Sequence, residues 1–336
     1  KEQELGKVAA RFASFQSDFP DSKYADEATF SAVLIYNQAD ELDHAIRMAE
    51  IMRDKYDEQA EEELVQRNHL LLAEFYERIA DFDTSASLYD EFYETYPKHE
   101  KAPDALYNAA IYYQGLGQTD TAIAKFTTYY SKHAKDAGEA AEVYWRTCGL
   151  FEFQEKWEKA GKCYDQFRRK YASASKAKVY ESRYRHALML EKQGKRRDAI
   201  KEYQWLVAEY PKLSPEDQKA DGAQLAGAHA KFELLEPEFQ AFENIKINRL
   251  SKSVLQKKLG DANELACVST DEAKCEREGK YLDVLTYGNG DYGICALTRM
   301  GQVFRDVADS LRNAPIPRRL TIDQQEIYKA ELDALA

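Results

Sequence analysis

The sequence predicts an all-α chain: an α-solenoid of stacked helical hairpins followed by a helical C-terminal extension. Three observations carry this. One helical signature returns six times at intervals of 37 to 40 residues: a small residue, a bulky one four later, another three after that. A fixed period in this range marks helix pairs that cannot bury their apolar faces alone, so neighbours must stack. Composition agrees, since 336 residues with 15 Gly, 8 Pro and 32% charge suit a surface-rich helical array better than a disordered chain. Beyond about residue 235 the period fades, although helical patterning persists.

The second helix of each hairpin carries the signature. It runs Val8, Phe12, Phe15, Pro20; Ala45, Ala49, Met52, Asp57; Ser85, Tyr89, Phe92, Pro97. It continues as Ala122, Phe126, Tyr129, Ala134; Ala160, Tyr164, Phe167, Ala172; and Ala199, Tyr203, Leu206, Pro211. The first helix of each complete hairpin has a small residue twelve positions before that anchor and a large one three later. These pairs are Val33/Tyr36, Ala73/Tyr76, Ala110/Tyr113, Cys148/Phe151 and Ala187/Leu190. Small residues at matching points let antiparallel helices approach, and the large ones fill the gap to the next hairpin. Gly115-Leu116-Gly117-Gln118 and Gln193-Gly194-Lys195 supply chain reversals between the helices. Prolines after the second helix stop it. Lys1 in place of Met, with a first unit holding only its second helix, reads as a fragment whose natural start has been removed.

Residues 236–336 form the predicted extension. The patterning gives one amphipathic helix from Pro237 to Gly260, with Phe239, Phe242, Ile245, Leu250 and Leu255 on its apolar side. A loop with Cys267 and Cys275 follows, then a helix ending near Tyr287 and a turn at Gly288-Asn289-Gly290-Asp291. A longer helix covers about Tyr292 to Asn313, Ala314-Pro315-Ile316-Pro317 breaks it, and a short helix begins near Asp323.

The spacings of residues 1–235 resemble the tetratricopeptide repeat. The junction Phe19-Pro20-Asp21-Ser22-Lys23-Tyr24-Ala25-Asp26-Glu27-Ala28 is similar to that of bacterial cell-envelope proteins of this family. Those include the lipoprotein of the outer-membrane barrel-assembly machine and the periplasmic accessory protein of the Tol–Pal system. Tyr96-Pro97 through Ala105 repeats the junction loosely, with Lys98 and His99 where Asp and Ser would stand. The end of the chain, on Ala314-Pro315-Ile316-Pro317, Leu320 and Tyr328, resembles long tetratricopeptide proteins of predatory and gliding deltaproteobacteria, including envelope components of gliding motility. The resemblance implies a non-catalytic, periplasmic interaction scaffold with protein or peptide partners, in a motility or envelope-assembly machine. A lipid anchor upstream is compatible with it. The alternative is a helical arm of a larger enzyme, such as a cell-wall lytic one, whose active domain lies elsewhere. A cytoplasmic adaptor is a third arrangement.

Net charge of −12 argues against general nucleic-acid binding. Residues 1–103 carry 24 acids against 11 bases, and residues 146–219 carry 11 against 18. The plain reading is solvated outer helix faces; the sharper one is an array whose halves prefer oppositely charged partners. No stretch reaches the roughly 18 uncharged residues of a membrane span.

Motifs suggestive of chemistry read better as structure. Gly288-Asn289-Gly290-Asp291-Tyr292-Gly293 matches a dinucleotide-binding glycine pattern, but no βαβ unit surrounds it. The six histidines are scattered without metal-ligand spacing. No catalytic constellation and no cofactor or metal site is expected. Cys148 takes a small first-helix position, so packing is its expected role, and repeat geometry could bring Cys163 near it. Cys267 and Cys275 flank seven polar-loop residues. In an oxidising compartment these two would close a disulfide; in a reducing one they stay thiols.

In this repeat class the first helices line the concave side. Residues three before each small position, with their successors, should therefore face a partner: Tyr107 and Asn108, Trp145 and Arg146, Tyr184 and Arg185. Aromatic and guanidinium groups in this order suit an extended or helical peptide bearing aromatic and acidic groups. The competing reading has these rings packed against adjacent helices and covered by the chain's own C-terminal segment.

Overall fold

The computed structural model describes residues 2–173, 175–247, 252–267 and 279–335. They are helical throughout, with no strand among them. The chain forms two compact units, Lys1–Gln154 and Glu155–Ala336.

The first unit contains α1 (Glu2–Asp18), α2 (Ala25–Gln38), α3 (Leu42–Tyr56) and α4 (Glu62–Arg78). It continues with α5 (Phe82–Thr95), α6 (Ala102–Gly115), α7 (Thr119–Lys132) and α8 (Ala137–Phe153). Each helix packs on the next in sequence, which is the order the repeat demands. The small first-helix residues Val33, Ala73 and Ala110 are wholly buried. How close the helices come is visible at Ser85, whose hydroxyl donates to the Ala73 carbonyl across the hairpin at 3.0 Å. Polar rings then tie helices together, both between hairpins and within one. Tyr76 donates to Glu50 at 2.6 Å and Tyr89 to Glu77 at 3.2 Å. Burial and the neighbouring carboxylates push both phenols up, Tyr76 to about 12.

The hairpin turns share one geometry. After α2, α4, α6 and the later helix Lys176–Lys192 a residue enters the left-handed region: Asp40 (φ 57°), Ala80 (61°), Gly117 (75°) and Gly194 (74°). Its N–H bonds three residues back, and the next N–H bonds five back; at Gly117 these bonds are 3.1 and 2.9 Å. This Schellman motif satisfies carbonyls the helix end would leave open. The five-back acceptors are Tyr36, Tyr76, Tyr113 and Leu190, the large first-helix positions of the repeat.

The second unit contains α9 (Trp157–Lys170), α10 (Lys176–Lys192), α11 (Arg196–Glu209), a 3₁₀ turn at Tyr210–Lys212, α12 (Pro215–Gln218) and α13 (Asp221–Glu243). After it come α14 (Lys252–Ala266), α15 (Leu282–Leu285), α16 (Gly290–Arg312) and α17 (Ile322–Leu335). Helix α13 has two buried faces. Ala223, Ala226 and Ala230 pack with α10 and α11 around Tyr203, while Ala228, Leu235, Phe239 and Phe242 join Tyr281, Val284 and Val303 in a second core.

Here the structure departs from the expected helix over Pro237 to Gly260. Pro237 lies inside α13 rather than at a helix start, and α13 and α14 are separate helices. Proline removes one helical hydrogen bond, but buried side chains on both sides of it hold the backbone. Lys258 on α14 is buried and its Nζ donates to the carbonyls of Phe242 (3.3 Å) and Ile245 (3.0 Å) and to Asp306 on α16. One ammonium thereby closes the C-terminus of α13 and ties α14 to α16.

Candidate partner-binding surface

In the first unit Tyr107 and Asn108 sit on α6, and Trp145 and Arg146 on α8. Tyr107 is half-buried, with its ring 5.8 Å from Phe126 and 5.0 Å from Tyr129. Phe126 is the wholly buried second-helix anchor of this hairpin, so the repeat core itself supplies the platform. Arg146 is exposed and holds its guanidinium 5.5 Å from the same Phe126 ring, at cation–π distance. The structure thus gathers Tyr107 and Arg146 on one aromatic platform, with Asn108 and Trp145 half-buried beside them in sequence.

Arg146 also lines a cleft of about 430 Å³ with Gln114, Thr119, Gly149, Leu150 and Phe153. Phe153 ends α8 with 78% of its surface exposed, far more than any other aromatic ring of the unit. Its position was invisible to the spacing argument, because it lies outside both repeat signatures. The α7–α8 connection below the platform is pinned. Tyr129 donates to Glu139 at 2.8 Å, and the Lys135 N–H donates to the same carboxylate at 2.6 Å. The Lys135 bond first, and Tyr129 second, hold the Glu139 carboxyl below its usual range. A rigid platform, a free cation face and an exposed ring can recognise a carboxylate and an apolar side chain on one segment.

Tyr184 and Arg185 lie on α10 in the second unit, and their setting differs. Tyr184 is buried; its hydroxyl is 2.7 Å from Nδ1 of His229 on α13. Tyr292 of α16 stacks on the same imidazole at 4.6 Å. With Nδ1 facing Tyr184, Nε2 of His229 lies 3.5 Å from Glu233, which also binds Arg196 at 2.6 Å. Hydrogen bonding from His229, reinforced by Arg196 against the cost of burial, holds the Glu233 carboxyl at about 2. Arg185 is half-buried, 3.4 Å from Glu181. This cluster therefore fastens α10, α11, α13 and α16 together.

Cys148, Cys163 and Cys267 are each held in a disulfide, whereas Cys295 is free and exposed. Cys275, expected to pair with Cys267, lies outside the described residues. The Gly288–Asp291 turn starts α16, where the Asn289 side chain accepts from the Tyr292 N–H at 3.0 Å. Among the described residues no group of three or more His, Cys, Asp or Glu is placed to hold a metal ion, and no helix is long and apolar enough to cross a membrane.

A family model described as tetratricopeptide repeat matches residues 104–136 and 181–212, the hairpins α6–α7 and α10–α11. These two hairpins match the tetratricopeptide repeat. No curated protein matches the sequence. Among solved structures it is similar to a tetratricopeptide repeat protein from Parabacteroides merdae, at 13% identity and TM-score 0.36, covering 92% of this chain and 98% of that one. It is also similar to the C-terminal part of a tetratricopeptide repeat-containing protein from Cytophaga hutchinsonii, at 11% identity and TM-score 0.37, covering 88% and 95%. The MamA protein aligns at 14% identity and TM-score 0.36 over 55% of this chain and 90% of its own.

Proposed function

We propose that this tetratricopeptide protein is a non-catalytic scaffold of the bacterial envelope that captures a partner segment on the first-helix face of its N-terminal unit. The observation that supports it best is the exposed Arg146 guanidinium over the Phe126–Tyr107 platform, beside a cleft rimmed by Phe153. The segment it suits is an extended or helical peptide with a carboxylate for Arg146 and an apolar side chain for the cleft. A preformed platform lowers the ordering cost of binding, which is how a rigid repeat reaches useful affinity without chemistry. The disulfide-bonded state of Cys148, Cys163 and Cys267 supports an oxidising compartment, and with it the periplasm. A place in a motility or envelope-assembly machine is the corresponding biological reading.

The test is affinity capture from a periplasmic extract with the wild-type chain and with Arg146→Glu and Trp145→Ala/Arg146→Ala variants. Charge reversal should deplete a defined partner while circular dichroism stays unchanged. Equal recovery by all three would remove this surface from consideration.

A further inference from the structure

The cleft beside Arg146 is lined by a polar group that nothing among the described residues satisfies. Gln114, in the last turn of α6, lines it together with Thr119 of α7 and Gly149, Leu150 and Phe153 of α8. The Gln114 Oε1 is buried and has no hydrogen-bond partner among the described residues. Neighbouring polar groups do not answer it: the Thr119 hydroxyl donates to the Gly117 carbonyl at 3.4 Å, and the Arg146 guanidinium lies over Phe126. A buried acceptor without a donor is unfavourable in the free protein, so a ligand that brings a donor gains what the fold forgoes.

Gly149 points to the size of that ligand. It lies inside α8, where glycine is the least favourable residue after proline. Packing does not demand it, because a Cβ placed there would meet nothing within 4 Å. The space it leaves open belongs to a cleft of about 430 Å³ lined by Leu150 and the exposed ring of Phe153. An apolar, ring-lined space with one unmet acceptor fits a flat ring that carries a donor and no acceptor. The indole of tryptophan meets that description. Phenylalanine has no donor, and tyrosine and histidine bring an acceptor as well.

We propose that the partner segment held by Arg146 inserts a tryptophan into this cleft, its ring against Phe153 and Leu150 and its Nε1–H donating to the Gln114 Oε1. Gln114 then sets specificity, because a ring of similar shape without the N–H leaves the buried oxygen unmet. Insertion presupposes docking on the Arg146 surface, so the two are measured separately.

The probe is an acetylated, amidated peptide with a central tryptophan flanked by glutamates, titrated calorimetrically into the full chain. Comparison peptides carry phenylalanine, alanine or benzothienylalanine at the centre; the last replaces the indole N–H by sulfur at nearly the same shape. The tryptophan peptide should bind about tenfold tighter than the benzothienylalanine peptide, with alanine weakest. Gln114→Leu should erase the difference between tryptophan and benzothienylalanine, whereas Arg146→Glu should weaken all the peptides by a similar factor. Gly149→Leu should raise the melting temperature by restoring helix propensity, yet bring tryptophan binding down to the alanine level by filling the cleft. Equal binding of tryptophan and benzothienylalanine to the wild-type chain, with Arg146→Glu still weakening both, overturns the proposal and leaves Arg146 as the docking site. Gln114→Leu weakening both peptides alike also overturns it, since Gln114 would then act only through the fold. Absence of binding, or binding indifferent to Arg146→Glu, removes the Arg146 surface and the inserted tryptophan together.

Discussion

Replacing Ala80 by glycine should stabilise this protein, although the substitution removes a methyl group and adds backbone freedom. Ala80 sits at φ 61° in the α4–α5 turn, where its N–H reaches the Glu77 carbonyl and the following N–H reaches that of Tyr76, both at 2.9 Å. An L-residue with a Cβ pays roughly 1–2 kcal/mol to occupy the left-handed region. Glycine removes that strain but loses about 0.5–1 kcal/mol more conformational entropy on folding. The difference favours Ala80→Gly by about 0.5–1 kcal/mol, equivalent to a rise of about 1–4 °C in the melting temperature of a unit this size. The reciprocal change is Gly117→Ala, at φ 75° with open space around the position a Cβ would take, so its cost of similar size reports backbone strain alone. Asp40→Gly should gain less, because aspartate tolerates this region better than alanine and its carboxylate also accepts from Arg78 at 2.7 Å. Urea and thermal unfolding followed by helical circular dichroism measure all three. A destabilising Ala80→Gly, or a neutral Gly117→Ala, would refute the reading that these turns hold the array in register through a left-handed residue.

Three further outcomes are expected. Lys258→Met leaves Asp306 and two carbonyls without their ammonium and should cost about 2–3 kcal/mol in urea unfolding, with Lys258→Met/Asp306→Asn costing less than the sum of its parts. Glu233, at about 2 in the fold against 4.5 ordinarily, stabilises the protein above the ordinary value and loses that contribution as pH falls from 4.5 towards 2. The urea midpoint should therefore drop between pH 5 and 3, and Glu233→Gln should flatten that drop. Alkylation of the denatured, unreduced chain followed by peptide mapping should label Cys295, with Cys148, Cys163 and Cys267 labelled only after reduction.

The packing of the array could be read from spacing, since small residues at Val33, Ala73, Ala110, Cys148 and Ala187 can recur in register only where helices touch. All five are wholly buried. The turns were half legible. Gly117 and Gly194 announce a left-handed residue and Asp40 tolerates one, but Ala80 and Glu155 adopt the same region with nothing in their chemistry to say so. There, tertiary geometry overrides local preference. Pro237 misled for the opposite reason: a local helix breaker was outvoted by burial of Leu235, Phe239 and Phe242 around it. At the candidate surface, Tyr107 and Arg146 follow from counting back from the small positions. The exposure of Phe153 and the burial of Tyr184 beneath His229 depend on which helix lies opposite. Spacing within one helix carries no such information.

The buried Lys258 has a consequence for how the second unit opens. Its single ammonium meets the carbonyls of Phe242 and Ile245 and the carboxylate of Asp306. Pulling α14 or α16 away would strand a buried charge, so the two helices should come apart together rather than fray one by one. Amide exchange in α14 and α16 should therefore report one shared opening free energy, and Lys258→Met should split it into two.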